Sequence, residues 1–142
     1  MRGNTVSVTE SGAGTFAQIV TVGRHVLLAD EPKEAGGRDL GPSPYELLKT
    51  ALGACTAMTL RSFALRQGWQ VGSISVSVNH QKVAAAGEAP RDRFERQIAI
   101  TGELSEEQKS RLLHIAELCP VSLTLQRSSQ ISTSFQASGS SS

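Results

Sequence analysis

Short runs of this chain alternate between apolar and polar residues. Ile74, Val76 and Val78 interleave with Ser73, Ser75 and Ser77, the two-residue period of a strand with one apolar face, and predict a strand over 71–83. Residues 84–92 read as a loop, after which Phe94, Ile98 and Ile100 alternate again. Upstream, residues 5–10, 15–22 and 25–29 read as strands separated by turns at 12–14 and 23. Ile131, Thr133 and Phe135 predict one more strand near the C-terminus.

Two stretches carry helix signals instead. Ser43, Pro44 and Glu46 form an N-cap, a first-position proline and a capping box. They open a helix that runs to about Gln67 and stops at Gly68. Its middle, residues 51–60 (ALGACTAMTL), is small or apolar on every side, so a buried helix is expected. Gly53 costs such a helix about 1 kcal/mol relative to Ala and predicts close approach by another backbone. Ser105 and Gln108 form a second capping box, opening a helix to about Cys119, where Pro120 disfavours its continuation. Between the first strands and the first helix lies a long loop, 30–42, rich in charge, Gly and Pro. The order of three strands, helix, two strands, helix and strand is α+β, with a long helix packed on antiparallel sheet.

With 142 residues, one domain over residues 1–136 with a flexible Ser/Gly-rich tail over 137–142 is expected. Aromatics make up only 4%, so Leu, Val, Ile and Ala must fill the core, and association would help so modest a core. The net charge of +1 with scattered basic residues argues against nucleic acid or a membrane surface as partner. No apolar N-terminal run suggests a signal peptide, and the uncharged run 50–60 is shorter than the roughly 20 residues a membrane span needs. A cytosolic location is expected. There, two cysteines are buried thiols or a working redox pair.

Cys55 lies at the centre of the apolar helix. Cys119 ends the stripe Leu112, Ile115, Cys119 beside Pro120. Each could be a small core residue. A long helix of small residues, entered from a charged loop and joined by a second thiol at a helix break, equally leaves room for a pocket with a reactive sulfur.

The run GPSPYELLKTALGACTAMTL at 41–60, with ELCPVSLTL at 117–125, resembles the two signature regions of the OsmC/Ohr family, and the likeness covers nearly all of the chain. The resemblance implies antiparallel sheets around a long buried central helix, and an intertwined homodimer with its active sites at the interface. It also implies a thiol peroxidase needing no cofactor. The Cys55 thiol would attack the O–O bond of an organic hydroperoxide or hydrogen peroxide. The Cys119 thiol would resolve the sulfenic acid as a disulfide, and a small dithiol or lipoyl protein would reduce that.

Such chemistry needs a thiolate, whereas an unperturbed thiol is mostly protonated at pH 7. A cation near Cys55 is therefore expected. The family's peroxidases supply an arginine before the helix, oriented by a glutamate in its first turn. The candidates here are Arg38, whose loop leads into the Cys55 helix, and Arg24. Glu46 is the nearest match to the glutamate but is displaced by one residue, since Tyr45 stands ten residues before Cys55. At 100° per residue, Glu46 and Cys55 fall on opposite sides of the helix, and the capping box accounts for Glu46 without catalysis.

Other chemistries find no support. His25, His80 and His114 lack metal-ligand spacing, no dinucleotide fingerprint is present, and no serine has a Gly-flanked elbow. Two function classes remain: a hydroperoxide reductase, and a binding or thiol-transfer protein on the same fold with little peroxidase activity.

Overall fold

The computed structural model describes residues 5–137, so all but the first residue of the expected tail lies outside the described residues. Strands β1 (Ser7–Glu10), β2 (Gln18–Val22) and β3 (His25–Ala29) form an antiparallel meander. Gly23 takes a positive φ of 57° in the tight β2–β3 turn, a conformation cheap only for glycine. The 30–42 loop carries one 3-10 turn, Lys33–Ala35. Asp30, 3% exposed, organises this loop. Its carboxylate accepts from the Glu31 N–H at 2.8 Å, the Leu40 N–H at 3.1 Å and the Arg38 N–H at 3.2 Å.

Helix α1 (Pro44–Gln67) begins and ends as its sequence dictates. Ser43 Oγ accepts from Glu46 N, Glu46 returns the bond to Ser43 N, and Gly68 closes the helix in the left-handed region at φ 69°. Strands β4 (Ile74–Val83) and β5 (Arg91–Ile100) form a second antiparallel pair, in register from Ile74 opposite Ile100 to Val83 opposite Arg91. Helix α1 packs across β4. A Cβ on Gly53 would sit 3.3 Å from Val78 Cγ2 and an ordinary 3.8 Å from the Val76 carbonyl, so the crowding at Gly53 comes from a side chain of β4 and not from the backbone expected.

Helix α2 (Glu106–Ala116) opens at the Ser105–Gln108 capping box. Its apolar face closes the core over Leu60, Phe63, Leu112 and Ala116, flanked by half-buried Trp69, Ile74, Ile98 and Ile100.

Four further sequence expectations need correcting. Strand β4 starts at Ile74, not 71, because the Gly72–Ser73 backbone bonds Thr101 instead of extending the ladder. Helix α2 stops at Ala116, short of Cys119. Pro120 then starts a new helix, α3 (Pro120–Gln126), since proline fits a first helical position and not an interior one. Helix α1 is not buried all round in the single chain: Leu52, Thr56, Leu60, Phe63 and Ala64 are buried, while Met58 and Leu65 are 70% and 69% exposed. Residues 131–135 form no strand, with Ile131 and Phe135 fully open to solvent. An alternating pattern becomes a strand only against an edge that supplies its hydrogen bonds, and this segment meets none among the described residues.

Candidate functional site

The fold brings together two thiols that are 64 positions apart in the chain. Cys55 sits midway along α1, half-buried. Cys119, fully buried, is the residue that caps α3. Both are free thiols, close enough that each shifts the other's proton affinity. The turn between α2 and α3 makes this possible. The break at Pro120 directs Cys119 back at α1, where an uninterrupted helix would carry it past.

The two sulfurs have different surroundings. Burial pushes the Cys55 thiol up, and the charge and hydrogen bond of Cys119 push it further; the Val121 N–H and the Thr59 hydroxyl only partly oppose them. Burial also acts on Cys119, yet donors outweigh it. Cys55, the Ser122 N–H, Thr56 and the Val121 N–H bring this thiol below its usual value. Of the two, Cys119 is therefore the thiol that gives up its proton more readily.

Among the described residues, Arg96 is linked to this pair through Thr56. Its guanidinium, 12% exposed, reaches from β5 into the junction of all three helices. Nη1 donates to Thr56 Oγ1 and to the Ala116 carbonyl, both at 3.0 Å. Nη2 donates to Glu117 Oε2 at 3.1 Å and Ser122 Oγ at 3.4 Å. Thr56 in turn lies 3.7 Å from Cys119 Sγ. Sequence reasoning missed Arg96, Thr56 and Ser122. The available signal was Arg96 itself, a charged residue between Phe94 and Ile98 on the apolar side of a strand.

The other candidates stand elsewhere. Arg38 Nη1 donates to the Ala13 carbonyl at 2.6 Å, and its aliphatic stem packs on Gly14, so its side chain ties the 30–42 loop to the β1–β2 turn. Arg24 lies in the β2–β3 turn. Glu46 Oε1 accepts from Ser43 N at 2.8 Å, and the bonds with Ser43 hold its carboxyl below the usual range. Tyr45 stacks on His80, with ring centroids 4.7 Å apart. His80 Nε2 bonds Asp92 at 2.8 Å, so this corner clamps the first turn of α1 to the β4–β5 sheet. Among the described residues, no group of three or more His, Cys, Asp and Glu side chains could hold a metal ion.

A groove of about 1,070 Å³ runs between β5, α2 and α3, lined in part by Arg91, Arg96, Phe94, Leu113 and Ser122. It reaches the Arg96 side of the cluster, and neither sulfur lines it.

The OsmC-like protein family model matches residues 36–134, which include α1, both cysteines and Arg96. Among solved structures, the chain resembles a candidate osmotic stress induced and detoxification response protein of Psychrobacter arcticus 273-4. The TM-score is 0.72 at 20% identity, covering 87% of this chain and 90% of the other. It resembles an organic hydroperoxide resistance protein, OsmC, of Legionella pneumophila with a TM-score of 0.63 at 22% identity, over 86% and 89% of the two chains. It also resembles an organic hydroperoxide resistance protein of Elizabethkingia anophelis, with a TM-score of 0.64 at 20% identity over 87% and 89%. No curated protein sequence matches significantly. At these identities the structures establish a shared fold, and the family match carries the assignment: this chain is a member of the OsmC-like protein family.

Proposed function

We propose that this chain is a two-cysteine hydroperoxide reductase, with Cys55 as the attacking sulfur and Cys119 as the resolving one. The observation that carries the reading is the pairing of the two free thiols across α1 and the α2–α3 turn. Access divides the roles: Cys55 is partly open, whereas Cys119 is 0% exposed and meets an oxidised partner more readily than an incoming peroxide. Attack requires that Cys55 lose its proton, since the thiolate is the nucleophile. The Cys55 thiolate then displaces alkoxide from ROOH, leaving a sulfenic acid at Cys55; the alkoxide takes a proton from water and leaves as the alcohol. The Cys119 sulfur condenses with the sulfenic acid, releasing water and forming the Cys55–Cys119 disulfide. A small dithiol or a lipoyl protein restores both thiols by exchange.

The working unit is a homodimer in the cytosol. Its support is the exposed apolar face of α1 at Met58 and Leu65 and the unpaired, strand-patterned segment 131–135, both of which a second copy would cover. Among the described residues no helix is long and apolar enough to cross a membrane. Consumption of cumene hydroperoxide with dihydrolipoamide as reductant tests the reading. Turnover lost in Cys55→Ser is expected, and turnover retained in that variant refutes it.

A second reading, a binding or thiol-transfer protein, draws on a specific feature. Glu46 is occupied in the cap and no arginine or lysine donates to the Cys55 sulfur among the described residues. Its mark would be disulfide exchange with dithiols without peroxide consumption.

A further inference from the structure

Arg96 gathers four acceptors from three helices, and only one of them leads to chemistry. The bonds to the Ala116 carbonyl, Glu117 and Ser122 tie α2 and α3 to β5. The bond to Thr56 Oγ1 enters the thiol cluster. Thr56 is 0% exposed and has a single hydroxyl proton with two available acceptors, the Leu52 carbonyl at 2.7 Å and Cys119 Sγ at 3.7 Å. A hydroxyl that accepts from a cation is a stronger donor, because bonds in a chain polarise one another where water is excluded.

We propose that Arg96 is a positioning residue for the thiol pair, acting through Thr56: it holds and polarises the hydroxyl whose proton turns to Cys119, and so stabilises the Cys119 thiolate that attacks the Cys55 sulfenic acid. This rests on the reductase reading and deepens it. In the step concerned, Cys119 gives up its S–H proton and forms an S–S bond to Cys55 as the S–O bond of the Cys55 sulfenic acid breaks, and the hydroxyl leaves with that proton as water. While Cys119 is a thiol its proton points at Thr56 Oγ1 and the Thr56 proton at Leu52. When Cys119 is a thiolate, the Thr56 proton swings to the sulfur. The lowered position of the Cys119 thiol agrees with this. The charged and titratable groups facing it are Cys55 from α1, Arg96 from β5 and Glu117 at the end of α2, and Glu117, 63% exposed, offsets part of the Arg96 charge. Helix α3 contributes the neutral Ser122.

The test is the ultraviolet thiolate absorbance of the full chain against pH, in a Cys55→Ser background where Cys119 is the one remaining thiol. Thr56→Val, nearly isosteric, removes the hydroxyl. The Cys119 midpoint should rise by about one pH unit, a roughly tenfold loss of thiolate near neutral pH, and Thr56→Ser should restore it. Arg96→Gln should raise the midpoint likewise, and Arg96→Lys, which keeps the charge, should raise it less. Two results overturn the proposal: an unmoved midpoint in Thr56→Val, or a midpoint in Thr56→Ser displaced as far as in Thr56→Val, the mark of packing alone. If Thr56→Val does not fold, the Arg96 pair decides, and equal midpoints in Gln and Lys count against it. Hydroperoxide consumption by the unaltered chain is measured alongside. Its absence, with the midpoint shifts present, rejects the reductase reading and leaves the Arg96–Thr56–Cys119 device standing.

Discussion

Truncating Leu60 to alanine tests the packing on which the thiol site rests. Leu60 is 0% exposed, enclosed by Phe63 on its own helix and by Leu112 and Ala116 of α2, with Ile74, Ile98 and Ile100 of the β4–β5 sheet behind. Leu→Ala at buried sites costs about 2–5 kcal/mol, rising with the cavity left behind. A site closed by a helix and a sheet collapses poorly, which places Leu60→Ala at about 3–4 kcal/mol. With a urea slope of about 2 kcal/mol per molar, typical of small proteins, the midpoint should fall by about 1.5–2 M at unchanged slope. Leu65→Ala removes the same atoms from the same helix at a position 69% exposed. In an isolated chain it should stay within about 0.5 kcal/mol. Should the proposed partner cover this face, the cost at Leu65 becomes dependent on protein concentration, whereas the cost at Leu60 persists at every dilution. Equilibrium urea unfolding over a range of protein concentrations reads both. A loss below about 1 kcal/mol at Leu60 would refute the account of the core and of the support it gives the α1–α2 junction.

Cys119→Ser should permit one rapid turnover without recycling by dithiols, after which mass spectrometry should find sulfinic or sulfonic acid on the peptide bearing Cys55; unmodified Cys55 after graded peroxide would reject its role. Glu46→Gln retains the capping box and should leave turnover and the helix content by circular dichroism unchanged, so a large fall in turnover at constant helicity would return Glu46 to the active site. The Asp30 carboxyl is subject to burial that raises it, yet the N–H groups of Leu40, Glu31 and Arg38 hold it below its usual value. Its contribution to stability is therefore present above the unfolded carboxylate value near 3.9 and lost as pH falls through the lower folded value. Asp30→Asn should flatten the acid limb of thermal stability, and an acid limb of unchanged steepness would contradict this. Arg38→Ala separates two roles: acting on the Cys55 thiolate, its loss slows alkylation near neutral pH, while anchoring the loop through Ala13, its loss lowers thermal stability with the alkylation profile intact. The second outcome is expected.

Signals confined to a few neighbouring residues were readable in the chain itself. Both capping boxes, the stop at Gly68 and the β2–β3 turn at Gly23 lie where the sequence puts them, because each depends on the backbone within about four residues. The family motifs were equally legible, and with them the two cysteines, since a motif is a local string. What failed was what depends on a neighbour distant in sequence. The pattern at 131–135 is strand-like, yet no edge receives it; the apolar girdle of α1 is uniform in sequence, yet only one side finds a core.

The sequence by itself therefore determined an α+β chain, the start and end of its long helix, and the pair of thiols on which the proposed chemistry turns. The tertiary structure alone decided which cation bonds Thr56, the neighbour of Cys119. Arg38 is nearer Cys55 along the chain, 17 positions away against 41 for Arg96, but the 30–42 loop turns it towards Ala13. Arg96 arrives because β5 passes beneath the junction of α1, α2 and α3, and a nearly buried guanidinium must find acceptors wherever the fold supplies them. Proximity in space is set by how sheet and helices pack, and strings of residues do not carry that information.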